Sequence, residues 1–140
     1  MQKLGVDMFA GFVSSGTCAA VTAVAEELKT LTLYSTCGTP RVFEELDKNP
    51  KYVFRTMSHA TADGVSLAHY VAKKYASANG YTGINQNYAW GQDSWRDFDL
   101  AMKVLAPKIK GSTKGQWPKI FAGRYGAEIS ALLKSPEDLV

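Results

Sequence analysis

Residues 11–17 read Gly11-Phe12-Val13-Ser14-Ser15-Gly16-Thr17, and residues 35–40 read Ser35-Thr36-Cys37-Gly38-Thr39-Pro40. The first follows the apolar run 6–10. The second follows Leu31-Thr32-Leu33-Tyr34, rich in β-formers. Each therefore reads as a loop leaving a strand and entering a helix. Glycine and small hydroxyl residues at the carboxyl ends of parallel strands make a polar cradle for a small molecule. Exposed amides at Ser14-Ser15-Gly16, together with the helix dipole, suit a carboxylate or phosphate. A capping motif without a ligand has the same composition.

Working outward, the pattern predicts strands over 5–10, 30–34 and 52–55. A helix is expected over 17–29, with Thr17 as its N-cap. Val21, Val24, Ala25 and Leu28 fall on its inner face, and Glu26, Glu27 and Lys29 on its outer one. Residues 40–46 suit a short helical turn. Periodicity fades over 57–63, which reads as a crossover. Beyond it come a helix over 63–78 ended by Asn79-Gly80, a weak strand over 81–85 and an aromatic loop over 87–91. A helix over 92–105 carries the stripe Trp95, Phe98, Met102 and Leu105. A poor strand over 109–115 follows, then a helix over 125–134 with Ile129 and Leu132 inward. Residues 137–140 look like the opening of another strand. Alternating strands and helices predict an α/β fold with parallel sheets. The chain opens on a strand already under way and ends where another should begin, which suggests a piece of something longer.

Composition narrows the function. The 140 residues suit one domain by length, with 46% apolar and 21% charged residues, as in an ordinary soluble protein. A net charge of +3 with scattered Lys and Arg gives no footprint for nucleic acid. No apolar run approaches the ~20 residues of a membrane span, and the opening Met1-Gln2-Lys3-Leu4 is no signal peptide. Neither a dinucleotide fingerprint nor a Walker loop occurs, so no nucleotide cofactor is expected. No spacing suits a metal. Two cysteines, Cys18 and Cys37, suit either one disulfide tying the two loops, a reactive thiol, or two small buried residues beside a pocket. A hydrolase would need Ser14, Ser15, Cys18 or Cys37 paired with His59 or His69. The nearest approach to a serine elbow lacks its first glycine, and His69 falls mid-helix. The sequence does not read as an enzyme.

Several pieces resemble one family in order and spacing. They are Asp7 to Ser15, Tyr34 to Pro40, Val53-Phe54-Arg55-Thr56, Asp63-Gly64, Asn87-Tyr88-Ala89-Trp90-Gly91 and Ala131-Leu132-Leu133. Together they resemble the type I periplasmic binding proteins, in particular the leucine/isoleucine/valine-type substrate-binding proteins of ABC transporters. The resemblance implies two α/β lobes, both incomplete here, with a small amino acid or related carboxylate bound between them. Residues 1–56 would be part of the first lobe and residues 57–140 the start of the second. It implies that Ser15 and Thr39 hold the ligand's carboxylate and ammonium, with Cys37 or Gly38 offering backbone and Val13 an apolar contact. Trp90 would close over the ligand from the second lobe. It further implies periplasmic residence, ABC permease subunits as partners and no chemistry. A sensory or regulatory module of the same fold is the rival reading. Two positions depart from the family pattern. Cys37 stands where alanine or serine is commoner, and Ala60 where many members carry an acid.

Overall fold

A computed structural model describes residues 5–139. The expected strand at Val140 and the reading of Met1 to Leu4 lie outside the described residues. The chain divides into two compact units, Met1–Ala60 and Thr61–Val140.

The first unit is a three-stranded parallel sheet in the order β1 (Met8–Gly11), β2 (Leu31–Tyr34), β3 (Val53–Arg55). Register is set by the pairs Ala10 with Leu33 and Leu33 with Phe54. Helix α1 (Ser15–Glu27) makes the crossover from β1 to β2. Its start corrects the sequence reading. The N-cap is Ser14, not Thr17, because Ser14 is extended (φ −76°, ψ 127°) and the helix begins at Ser15. The strand before it starts at Met8 rather than Gly5, since Gly5 sits in a turn with φ +60°.

The inner stripe of α1 is also shifted. Ser15, Cys18, Thr22 and Ala25 are buried, whereas Val24 is exposed. The Thr22 hydroxyl is buried with partners. Thr22 Oγ1 donates to the Cys18 carbonyl (2.8 Å), and the Tyr34 hydroxyl lies 2.9 Å from that carbonyl and 2.8 Å from Thr22 Oγ1. A satisfied polar triangle is tolerated in a core where an unpaired hydroxyl would not be. Burial pushes the Tyr34 phenol above its ordinary range, the Thr22 hydrogen bond opposes this, and the charge of Glu26 adds to it.

Glu26, read from the pattern as an outward surface residue, braces the sheet. Its carboxylate accepts the backbone N–H groups of Lys51 (3.0 Å), Tyr52 (2.7 Å) and Val53 (3.1 Å) at the start of β3. Between β2 and β3, residues Val42–Leu46 form one wide helical turn closed by the bond Asp47 N–H to Val42 O at 3.0 Å.

The second unit relies on helices. α2 (Ala60–Lys74) starts three residues earlier than the pattern suggests and ends four earlier. α3 (Ala89–Leu105) likewise absorbs the end of the aromatic loop. The sheet between them is short: β4 (Gly80–Tyr81) pairs in parallel with β5 (Lys110–Gly111), extended by single bridges Tyr81–Leu139 and Ile84–Gln116. The core is Ala68, Tyr81, Met102 and Ile109, with Trp95 and Phe98 packed against it. Tyr81 meets Phe98 edge-on (5.2 Å between centroids) and Trp95 at 6.2 Å. Helices α2 and α3 approach closely at Gly64, where a Cβ would lie 3.0 Å from the Phe98 nitrogen. Of the last helix, α4 (Gly126–Leu132), Leu132 is buried but Ile129 is 52% exposed, so only half of the expected inward pair packs.

Candidate functional site

β1 and β2 are adjacent and parallel, so the loops that follow them emerge at the same end of the sheet. Three links join these loops. Ser35 N–H donates to Gly11 O (3.1 Å), Thr36 Oγ1 donates to Phe12 O (2.8 Å), and Cys18 is disulfide-bonded to Cys37. Both cysteines are fully buried. The two readings of the cysteines thus combine: they are small, buried and bonded, and neither is a free thiol. A thiol nucleophile at Cys18 or Cys37 is thereby removed.

The first loop turns sharply. Gly11 has φ +131° and Phe12 φ +65°. A left-handed phenylalanine is costly, and surrounding contacts must hold it. They do: the Phe12 ring packs on the buried cluster and meets Tyr34 edge-on at 5.7 Å, while its carbonyl accepts Thr36. The turn throws Val13 outward, 76% exposed, and places Ser15 almost fully buried in the first turn of α1. The first bond of α1 runs from Cys18 N–H to Ser14 O, and the Ser14 side chain does not cap it. The amides of Ser15, Gly16 and Thr17 thus have no acceptor inside the helix.

In the second loop Cys37, Gly38, Thr39 and Pro40 are all buried, and Ser35 and Thr36 are exposed. The Thr39 hydroxyl accepts the Arg41 N–H at 3.2 Å. Three successive carbonyls are engaged. Arg55 Nη1 donates to Thr39 O (2.7 Å) and lies 3.4 Å from Cys37 O, and Ala60 N–H donates to Gly38 O (2.8 Å). The Arg55 guanidinium stacks over the Phe43 ring at 4.9 Å. Burial draws its pKa down, and the charge of Glu44 opposes this. Arg55 belongs to the Phe-Arg-Thr piece of the sequence, yet periodicity carries no sign of its bonds to the loop.

Trp90, in the second unit, is partly buried at the start of α3 and meets Tyr88 at 6.2 Å. It lines a 460 Å³ depression with Ile84, Asn85, Gln86, Pro118 and Tyr125. The Asn85 carboxamide holds that loop, donating to Gly91 O (3.1 Å) and accepting Gln86 N–H (2.8 Å). Gly91 is required there, because a Cβ would fall 2.1 Å from Gln86 O. The structure therefore gathers Val13, Ser15, Cys37, Gly38 and Thr39 at one end of the first sheet, and places Trp90 on the rim of the second unit.

His59 lies just before α2 with its Nδ1 buried and unpartnered, and it lines a 400 Å³ depression with Phe43 and Arg55. No group of three or more His, Cys, Asp or Glu suited to a metal occurs among the described residues. None of their helices is long and apolar enough to cross a membrane.

The sequence matches the family described as periplasmic binding protein over residues 1–118, and the chain belongs to that family. This is a family of binding proteins, not of enzymes. No curated protein matches the sequence. Among solved structures, the fold is similar to a solute binding protein of an ABC transporter from Rhodopseudomonas palustris BisB5 in complex with 3,4-dihydroxybenzoic acid. The TM-score is 0.82 at 16% identity, covering 99% of this chain and 36% of that one. It is also similar to a leucine binding protein from Thermotoga maritima MSB8 (TM-score 0.72, 20% identity, 94% and 35% covered). A third is an ABC transporter substrate-binding protein from Sphaerobacter thermophilus (0.76, 16%, 92% and 34%). The chain thus spans about a third of the length of these structures.

Proposed function

We propose that this chain is part of the solute-binding component of an ABC uptake transporter, and that it takes a small carboxylate, a branched-chain amino acid or a relative of one. One observation carries the reading: two hydroxyl- and glycine-bearing loops leave adjacent parallel strands at the same end and are fastened together by a disulfide and two hydrogen bonds. Open amides at the start of α1 suit a carboxylate there. On this reading Ser15 and Thr39 bind the charged end of the ligand through backbone and hydroxyl groups. Cys37 and Gly38 supply backbone, Val13 supplies an apolar contact, and Trp90 covers the apolar part. Residues 1–56 then contribute to one ligand-binding lobe and residues 57–140 open a second. Permease subunits are the protein partners, and the periplasm is the compartment. A buried disulfide fits an oxidising compartment of that kind.

The likeness to benzoate-binding structures, at 20% identity or below, broadens the candidate ligands from amino acids to aromatic carboxylates. Titration calorimetry with both classes tests this. Thr39→Ala should weaken binding by about 1–3 kcal/mol, the cost of leaving a charged group short of a partner. Unchanged affinity would remove Thr39 from the site.

A further inference from the structure

Resting on that solute-binding reading, we propose that the Cys18–Cys37 disulfide is the positioning element of the candidate site, so that the affinity of the site follows the redox state of this pair. Cys18 lies one turn after Ser15 on α1, and both are buried, so they share the inward face of the helix start. Cys37 stands two residues before Thr39, and residues 37–40 are all buried. The disulfide thus joins the element that carries Ser15 to the loop that carries Thr39. The Cys37 sulfur also sits 3.5 Å from the carbonyl of Phe12, the residue held at φ +65° in the turn that leads into α1.

The two hydrogen bonds between the loops act elsewhere. Ser35 N–H to Gly11 O (3.1 Å) prolongs the ladder of the paired strands, and Thr36 Oγ1 to Phe12 O (2.8 Å) is exposed. Both are made before the chain reaches Ser15 or Cys37. Each loop also has anchors of its own. The hydroxyls of Thr22 and Tyr34 hold the Cys18 carbonyl of α1, while Arg55 and the Ala60 N–H hold carbonyls of the second loop. Breaking the disulfide therefore leaves the fold standing and frees the spacing between Ser15 and Thr39. A ligand that needs both residues must then restore the spacing out of its own binding energy.

Reduction of the pair is a two-electron step. A dithiol reductant attacks one sulfur, the S–S bond breaks, both cysteines end as thiols carrying its two protons, and the reductant closes to its own disulfide. Both cysteines are fully buried, so a reductant reaches them only when the unit opens. The state of the pair is therefore set as the chain folds. A chain folded where thiols are oxidised has the clamped site, and one folded among reduced thiols has the loose one.

Titration calorimetry of the intact protein with L-leucine and 4-hydroxybenzoate tests the proposal. It compares oxidised protein, protein refolded with dithiothreitol, reduced protein reoxidised with glutathione disulfide, and the variant Cys18→Ser with Cys37→Ser. Affinity should fall roughly tenfold or more in both disulfide-free forms and return on reoxidation. Glu26→Ala is the control: it weakens the same unit through the start of β3, not through either loop, and its affinity should stay within about twofold of the parent. Equal affinity with and without the disulfide, or an equal loss in Glu26→Ala, would overturn the proposal.

A second measurement reads the clamp without any ligand. Spin-labelled residues replace Ala20 on α1 and Glu45 after the second loop, both exposed. The distance distribution between them should be narrow in oxidised protein and in Glu26→Ala, and broad in the disulfide-free forms. An unchanged distribution would overturn the proposal. If the serine pair does not fold, Cys18→Ala with Cys37→Ala takes its place, and failure of every disulfide-free form to fold would also overturn it. Failure of both probes to bind oxidised protein would count against the solute-binding reading, and the distance distributions would still decide for or against the clamp.

Discussion

The two units hold themselves together by different means. In the first, a regular three-stranded parallel sheet is fixed by directional interactions: a disulfide, the Thr22–Tyr34–Cys18 triangle, and a carboxylate that caps β3. In the second, the paired strands are two residues long, and the core is built where Trp95 and Phe98 of α3 pack on Tyr81 of β4. Its buried acids follow the same logic. Asp93 and Asp97 on α3 are almost wholly buried, yet Arg96 bridges them at 3.3 and 2.8 Å, and Thr61 Oγ1 donates to Asp97 at 2.6 Å. The contrast teaches that a parallel sheet can be anchored by a few covalent and polar ties near a site. A helix packed on so short a strand has to be anchored by volume.

Trp90, Trp95 and Trp117 all lie in the second unit, so tryptophan fluorescence reports that unit and backbone circular dichroism reports both. The largest expected effect is Met102→Ala. It empties a fully buried site and should cost about 2–5 kcal/mol, moving the fluorescence transition to lower denaturant. Loss of fluorescence cooperativity without a shift would mean that the second core does not depend on volume.

Cys18→Ser paired with Cys37→Ser should cost about 2–4 kcal/mol, read in the dichroism transition while the tryptophan transition stays in place. A matching shift in fluorescence would show that the two units unfold as one. Glu26→Ala strips three backbone donors of their acceptor and should cost about 1.5–3 kcal/mol in the first unit. Urea titration followed at a Tyr34-sensitive near-ultraviolet band checks it. An effect below half of that would return Glu26 to the solvated surface where its position in the pattern put it.

Alkaline pH should weaken both units. The phenols of Tyr34 and Tyr81 are each raised above their ordinary value near 10, chiefly by burial, with Asp99 adding to the rise at Tyr81. A raised folded-state pKa means stability fully present below pH 10 and lost as the pH climbs toward the folded value. Tyr34→Phe should flatten that alkaline loss in the dichroism signal, and a curve identical to the parent would contradict the assignment. The smallest effect is expected at Ile129→Ser on α4, within about 0.5 kcal/mol by thermal melt, because half of the side chain is already in water. Leu132→Ser, on the buried side of the same helix, should cost visibly more.

Much of the fold was legible because its signals are local. β-branched and aromatic runs gave β2 and β3 nearly to the residue, and the stripe Trp95, Phe98 and Met102 identified the core face of α3. The loops at Gly11 and Ser35 were readable as a cradle because small residues between strand and helix have few other uses. Helix starts were less legible. Thr17, a good capping residue, was passed over for Ser14, since the strained turn at Gly11 and Phe12 decides where the chain enters α1. The alternation of α1 pointed to Val24 inward and Glu26 outward. It could not show that Thr22 would find Tyr34 and Cys18, or that the start of β3 would bring three N–H groups to Glu26.

By itself, then, the sequence determined the alternation of strands and helices, the parallel pairing and the presence of two polar loops, since these follow from periodicity and residue type over short spans. Only the tertiary structure decided that Cys18 and Cys37 bond, that Glu26 caps a strand 26 residues on, and that Arg55 gathers the carbonyls of the second loop. Each of those pairs partners roughly 16–27 residues apart. Which partner a cysteine, a carboxylate or a guanidinium meets depends on where the intervening chain returns, and no local pattern encodes that distance.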